Sequence, residues 1–90
     1  MKKEQERIAR LPREEPETKI RRLTDKIIYE VYIPGVKSLK DVTVNRLENS
    51  IEIKAISQDR AYFKLIPVSL HLKRYYLKEE KLILELSPNY

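Results

Sequence analysis

The sequence predicts an all-β fold, a small antiparallel β-sandwich of six to seven strands. Three observations carry that prediction. From Lys26 to Leu86 apolar residues alternate with polar ones at the period of a half-buried strand, and a helical period is almost absent. Turn-forming clusters interrupt the alternation every eight to twelve residues or so, the spacing of short strands in a sandwich. The only glycine of the chain, Gly35, stands directly behind Pro34 at the end of an alternating run. Proline presets φ near about −65° and glycine permits positive φ, so Pro34-Gly35 predicts a type II turn.

Each element follows in order. Met1 to about Glu17 holds few apolar residues (Ile8, Leu11), dense charge of both signs, and Pro12 and Pro16. It reads as a flexible charged N-terminal arm, residues 1–17. The sandwich domain then spans residues 18–87, and residues 88–90 form a short C-terminal tail. In the first strand Ile27, Tyr29, Val31 and Ile33 share one face, with Lys26, Glu30 and Tyr32 opposite. The Pro34-Gly35 corner and the polar stretch Lys37–Asp41 lead to Val42 and Val44, which resume the alternation as far as Leu47. Glu48-Asn49-Ser50 turns the chain into Ile51, Ile53 and Ala55, predicting a hairpin. After Ser57-Gln58-Asp59 comes a strand over Arg60–Ile66, with Ala61, Phe63 and Leu65 assigned to a common inward face. Pro67 ends it, because proline cannot donate to a ladder. His71–Leu77 is a tyrosine-rich strand, Lys78-Glu79-Glu80 a turn, and Lys81–Leu86 a closing strand with Leu82, Leu84 and Leu86 inward. The predicted core is Ile27, Tyr29, Val31, Ile33, Ile51, Ile53, Phe63, Leu65, Leu82 and Leu84.

Composition narrows the function classes. Ninety residues make one small domain with a thin core. No apolar run approaches the roughly 20 residues of a membrane-spanning helix, and Met1-Lys2-Lys3 is not followed by an apolar signal region. The absence of cysteine excludes disulfides and thiolate chemistry and points to a cytoplasmic setting, with no membrane partner. The formal net charge is +5, but lysines and arginines alternate with glutamates in nearly every segment. That pattern predicts a solvated surface of mixed sign, not a phosphate-tracking patch. Tyr75-Tyr76 beside Lys73-Arg74 resembles a stacking site, but neighbouring strand residues point to opposite faces. Nucleic acid is therefore not the expected partner.

Catalytic chemistry is missing as well. His71 is the only histidine, and no nucleophile-elbow pattern surrounds Ser38, Ser50, Ser57, Ser69 or Ser87. One glycine cannot build a phosphate-cradling loop. Glu14-Glu15-Glu17 and Glu79-Glu80 lack the spacing of calcium or zinc ligands. The residues predict a protein that is not an enzyme and carries no cofactor and no metal.

The order of features from about Glu15 to Leu86 resembles the α-crystallin domain of small heat-shock proteins and the related domain of CS co-chaperones. Tyr29-Glu30-Val31-Tyr32-Ile33-Pro34-Gly35-Val36 is similar to the family's alternating strand closed by Pro-Gly-Val. Val42-Thr43-Val44 matches its valine-rich strand, and Ile51-Glu52-Ile53 its Leu-x-Ile strand. Phe63-Lys64-Leu65-Ile66-Pro67 resembles its Leu-Pro strand with one residue inserted, and Leu82-Ile83-Leu84-Glu85-Leu86 its closing strand. The resemblance implies an immunoglobulin-like sandwich and an ATP-independent chaperone that binds protein clients or partner segments in a sheet-edge groove. It places Val42 and Val44 opposite Leu72 and Arg74 in that groove, with Pro34 and Gly35 as the structural corner. The alternative it offers is a CS-like co-chaperone adaptor for one protein partner such as an ATPase.

Three departures imply a reduced member. Tyr75 and Glu79-Glu80 stand where the family has an alanine and an Asn-Gly turn. Only Ser57–Arg60 separates strands that many members join by a long swapping loop. The sequence ends at Ser87-Pro88-Asn89-Tyr90 without the family's Ile-x-Ile tail. A monomer or weak dimer is the resulting expectation.

Overall fold

The computed structural model describes residues 11–88. Expectations for residues 1–10 and 89–90 lie outside the described residues. Eight strands are present among the described residues: β1 (Arg13–Glu14), β2 (Thr18–Arg22), β3 (Ile27–Tyr32), β4 (Val42–Arg46), β5 (Ile51–Ile56), β6 (Ala61–Ile66), β7 (His71–Lys78) and β8 (Lys81–Ser87). They form two four-stranded sheets, ordered β1-β6-β5-β4 and β2-β3-β8-β7. Every pairing is antiparallel except the short β1–β6 ladder. The expected all-β sandwich is therefore the observed architecture. A 3-10 turn over Leu39–Asp41 precedes β4, and Ser38 caps it by accepting from the Lys40 amide at 3.1 Å.

The core lies between the sheets. Val31, Ile33, Val36, Ile51, Ile53, Ala55, Tyr62, Ile66, Leu82, Leu84 and Leu86 form one buried cluster. Removing each larger side chain from water is worth roughly 1.5–3 kcal/mol before the entropy of ordering the chain opposes it. The inward phases assigned to β3, β5 and β8 hold.

In β6 the phase is inverted. Tyr62 and Ile66 are buried, whereas Phe63 and Leu65 are 44% and 49% exposed. Tyr62 pairs with Ala55 and Ile66 with Ile51, both core positions, so the even-numbered residues must face inward. Both faces of AYFKLI carry apolar residues, and periodicity alone cannot choose between them. The Tyr62 hydroxyl shows why this phase wins: the ring fills the core while the OH donates to the Pro34 carbonyl at 2.7 Å.

The residues just before the sandwich pack on its first sheet. Arg13–Glu14 adds a parallel strand to β6, and the Ala61 amide donates to the Pro12 carbonyl at 2.9 Å. Pro16 is buried, and ion pairs join Glu14 to Arg60 and Glu15 to Lys64. Charge complementarity to β6, which residue composition does not display, docks these residues.

At the corner the type II turn is present. The Val36 amide donates to the Ile33 carbonyl at 3.1 Å, and Gly35 sits at φ +89. A Cβ on Gly35 would also lie 3.0 Å from the Ser57 Cβ. The turn is held from a distant segment, because Glu80 accepts the Ile33 amide on its carbonyl and the Gly35 amide on its carboxylate, each at 3.0 Å.

Candidate functional site

The valine-rich strand β4 ends the first sheet and β7 ends the second, so each leaves one edge of its backbone unpaired within the described fold. Val42 and Val44 pair with Ala55 and Ile53, which places them on the inner face of their sheet. Leu72 and Leu77 pair with Leu86 and Leu82 and face inward from the second sheet. All four are half-buried against the core. The crossover from β6 to β7 adds Val68 and Leu70, also packed on that cluster. Arg46, at the end of β4, donates to the Val68 carbonyl at 2.7 Å and ties the crossover to that edge. One flank of the sandwich thus carries a half-covered apolar row beside a free strand edge.

Three of the four residues expected in the groove stand on this row: Val42, Val44 and Leu72. Arg74 does not. The β7–β8 register shifts between Leu72 and Arg74, so Lys73 is an extra residue that reverses the alternation beyond it. Leu72 pairs with the inward Leu86, but Arg74 pairs with Glu85 on the outer face. There its guanidinium meets the Glu85 carboxylate in two contacts of 3.1 Å, Nε to Oε1 and Nη2 to Oε2. Tyr75 takes the inward phase instead, paired with Leu84, and is 41% exposed on the open flank. Sequence reasoning missed Tyr75, Leu77, Val68 and Leu70. A single-residue bulge leaves no mark in the pattern HLKRYYLK, and Val68 and Leu70 lie in a connection with no period to read.

Glu85 is the most enclosed carboxylate described, with a side chain 7% exposed. Arg74's hydrogen bonds hold its carboxyl below the usual carboxylate range against the opposing effect of burial, and Lys26 at 3.6 Å assists. Near the corner, the Ser57 hydroxyl lowers Asp59 in the same sense. Burial pushes the Tyr62 phenol up, so it remains a hydrogen-bond donor. An open cleft of about 300 Å³ beside the corner is lined by Gly35, Lys37, Asp41, Ile56, Ser57 and Gln58. Among the described residues no group of three or more His, Cys, Asp or Glu side chains converges as a metal site would require. No described helix is long and apolar enough to cross a membrane.

Solved structures with the same arrangement exist at low sequence identity. Heat shock protein 16.0 from Schizosaccharomyces pombe superposes with a TM-score of 0.68 at 16% identity, over 83% of this chain and 67% of that one. The fold is that of an α-crystallin-type domain. HSP18.5 from E. histolytica matches this domain at a TM-score of 0.68 and 13% identity, over 86% of this chain and 94% of its own. A point mutant of hsp14.1 from Sulfolobus solfataricus matches at 0.63 and 14% identity, over 97% and 86%. No protein-family model matches the sequence, and no curated protein matches it. The backbone thus bears out the α-crystallin-type architecture that the ordered motifs implied, at an overall identity of only 13–16%.

Proposed function

We propose that this α-crystallin-type domain is an ATP-independent, chaperone-like binding module that holds extended apolar segments on the flank between β4 and β7. One observation carries the reading: a β4 edge left unpaired among the described residues lies beside the half-buried row Val42, Val44, Leu72 and Leu77. An extended segment of a partly unfolded client would add a strand there, with affinity from main-chain hydrogen bonds and selectivity from the apolar row. The likeness to heat-shock proteins supports a protein partner of this kind. The test is light scattering of a heat-labile client. The domain should suppress aggregation at stoichiometric excess, and Val44→Glu should remove most of that effect while the fold persists by circular dichroism. A wild-type chain with no effect at excess would end the holdase reading.

A CS-like adaptor for one folded partner is the second reading. The short β5–β6 connection favours it, because Ser57 closes that turn locally through Asp59 and Arg60 and leaves no loop to exchange between protomers. Capture of one stoichiometric partner from native lysate, with a monomeric mass by light scattering, would select this reading over broad client binding.

A further inference from the structure

We infer that the outer face of the second sheet binds single-stranded nucleic acid. Strand pairing sorts charges that alternate along the chain. Cross-strand partners share a face, and Ile83 and Glu85 of β8 lie opposite the core-facing Leu82, Leu84 and Leu86. Their partners Ile28, Glu30, Arg74 and Tyr76 are therefore outward, as are Lys19 and Arg21 from β2. Tyr32 pairs with Lys81, and Lys81 with Lys78, in the next outward row. Lys26 joins the same face through Glu85.

The result is a surface of six cations, Lys19, Arg21, Lys26, Arg74, Lys78 and Lys81, against three carboxylates, Glu17, Glu30 and Glu85, with Glu17 placed there by the Tyr32 amide that donates to its carbonyl. Glu30 and Glu85 are already engaged and largely covered, with side chains 14% and 7% exposed, whereas Glu17 is exposed. Glu30 is held by Arg21 and Glu85 by Arg74 and Lys26. Lys19 and Lys81 instead sit over the Tyr32 ring, 5.7 Å and 5.5 Å from its centre. Their charges are displayed to solvent without a carboxylate partner among the described residues. Arg74 lies 5.7 Å from the Tyr76 ring.

Charge complementarity calls for a polyanion, and the tyrosines select among polyanions. Tyr75 and Tyr76 do point to opposite faces, as their spacing requires, but Tyr32 from β3 supplies a second ring beside Tyr76. β8 alone separates those two strands, which therefore lie roughly 10 Å apart, with Tyr32 level with Lys81 and Tyr76 one outward row further along at Ile83. Cations that track phosphates and rings on which bases stack are the two parts of a single-strand platform. An acidic peptide would use the cations and leave the rings idle. A membrane would need a cluster of apolar side chains to insert, and the outward positions named here offer only Ile28 and the buried Ile83, the others being charged or tyrosine.

The experiment is fluorescence anisotropy of a labelled oligothymidine of about 20 nucleotides, titrated with the full chain from about 20 mM salt upward. Binding should weaken steeply with salt. The double variant Lys19→Gln/Lys81→Gln should bind about tenfold more weakly and flatten the log–log salt slope by about 1.4, two phosphate contacts at about 0.7 each. Tyr76→Leu should weaken binding about tenfold with the slope unchanged, the mark of lost stacking. Lys37→Gln/Lys54→Gln, away from this face, should leave both quantities unchanged. The inference is overturned by no binding at the lowest salt or by equal weakening in that control. It is equally overturned if Tyr76→Leu binds like wild type, or if polyglutamate or phosphatidylserine-rich vesicles compete as well as unlabelled oligothymidine.

Discussion

Strands β8 and β6 are both rich in apolar residues on each face, yet their neighbours treat them differently. β8 lies between β3 and β7, and every residue from Leu82 to Leu86 is buried. Its outward positions Ile83 and Glu85 are covered by long side chains from both flanks, Arg74 and Tyr76 on one side and Ile28 and Glu30 on the other. β6 has β5 on one side, but on the other β1 covers only Ala61 and Tyr62. Its outward Phe63 and Leu65 remain open to solvent. Burial of an outer-face residue is therefore decided by how far the neighbouring strands run, and the residue's own hydrophobicity does not settle it.

That contrast can be broken or sharpened by measurement. Leu84→Ala, at the centre of β8, should cost about 2–5 kcal/mol in chemical denaturation, as for other fully buried leucines. A loss below about 1 kcal/mol would show that the core face of β8 is not tightly packed. Tyr62→Phe keeps the ring in the core and deletes only the donor to Pro34, so it should cost about 1 kcal/mol. Acid should find β8 next. Because the folded Glu85 carboxyl titrates below its ordinary value of 4.5, its contribution is fully present above that pH and is lost as pH falls through the lower folded value. Glu85→Gln should consequently remove part of the acid-induced fall in melting temperature, and a parallel profile would show that the carboxylate adds nothing. Leu65→Thr, outward on β6, should change stability by no more than about 0.5 kcal/mol. A larger loss would mean that something covers this face.

The fold was legible wherever one phase of a strand was apolar and the other polar. Ile51, Ile53 and Ala55 oppose Glu52 and Lys54, and only one orientation can bury the first set. Pro34-Gly35 was legible for a local reason, since the pair itself dictates the turn. The phase of β6 was not, because Phe63 and Leu65 compete on equal terms with Tyr62 and Ile66, and the deciding hydrogen bond runs from the Tyr62 hydroxyl to the distant Pro34 carbonyl. The inward phase of Val42, Val44 and Leu72 could be read because β4 and the start of β7 keep their alternation. The phase of Arg74 could not, since one unpaired residue at position 73 turns the rest of its strand over. The outer-face cations were hidden for the same kind of reason. Alternation along a strand mixes signs in sequence, and pairing across strands separates them in space.

The turn at Glu79-Glu80 has a consequence for which substitutions the chain can accept. Both residues hold positive φ, 51 and 64, at a two-residue hairpin where Asn-Gly suits the backbone, and a non-glycine residue there costs about 1 kcal/mol. Glu79 is exposed, so replacing it with asparagine relaxes the backbone and sacrifices no contact described for its side chain. Glu80 is constrained from elsewhere, because its carboxylate holds the Gly35 amide across 45 residues of sequence. Two adjacent, identical residues in the same strained conformation therefore differ in freedom: one position is open to drift and the other is tied to the opposite corner of the domain.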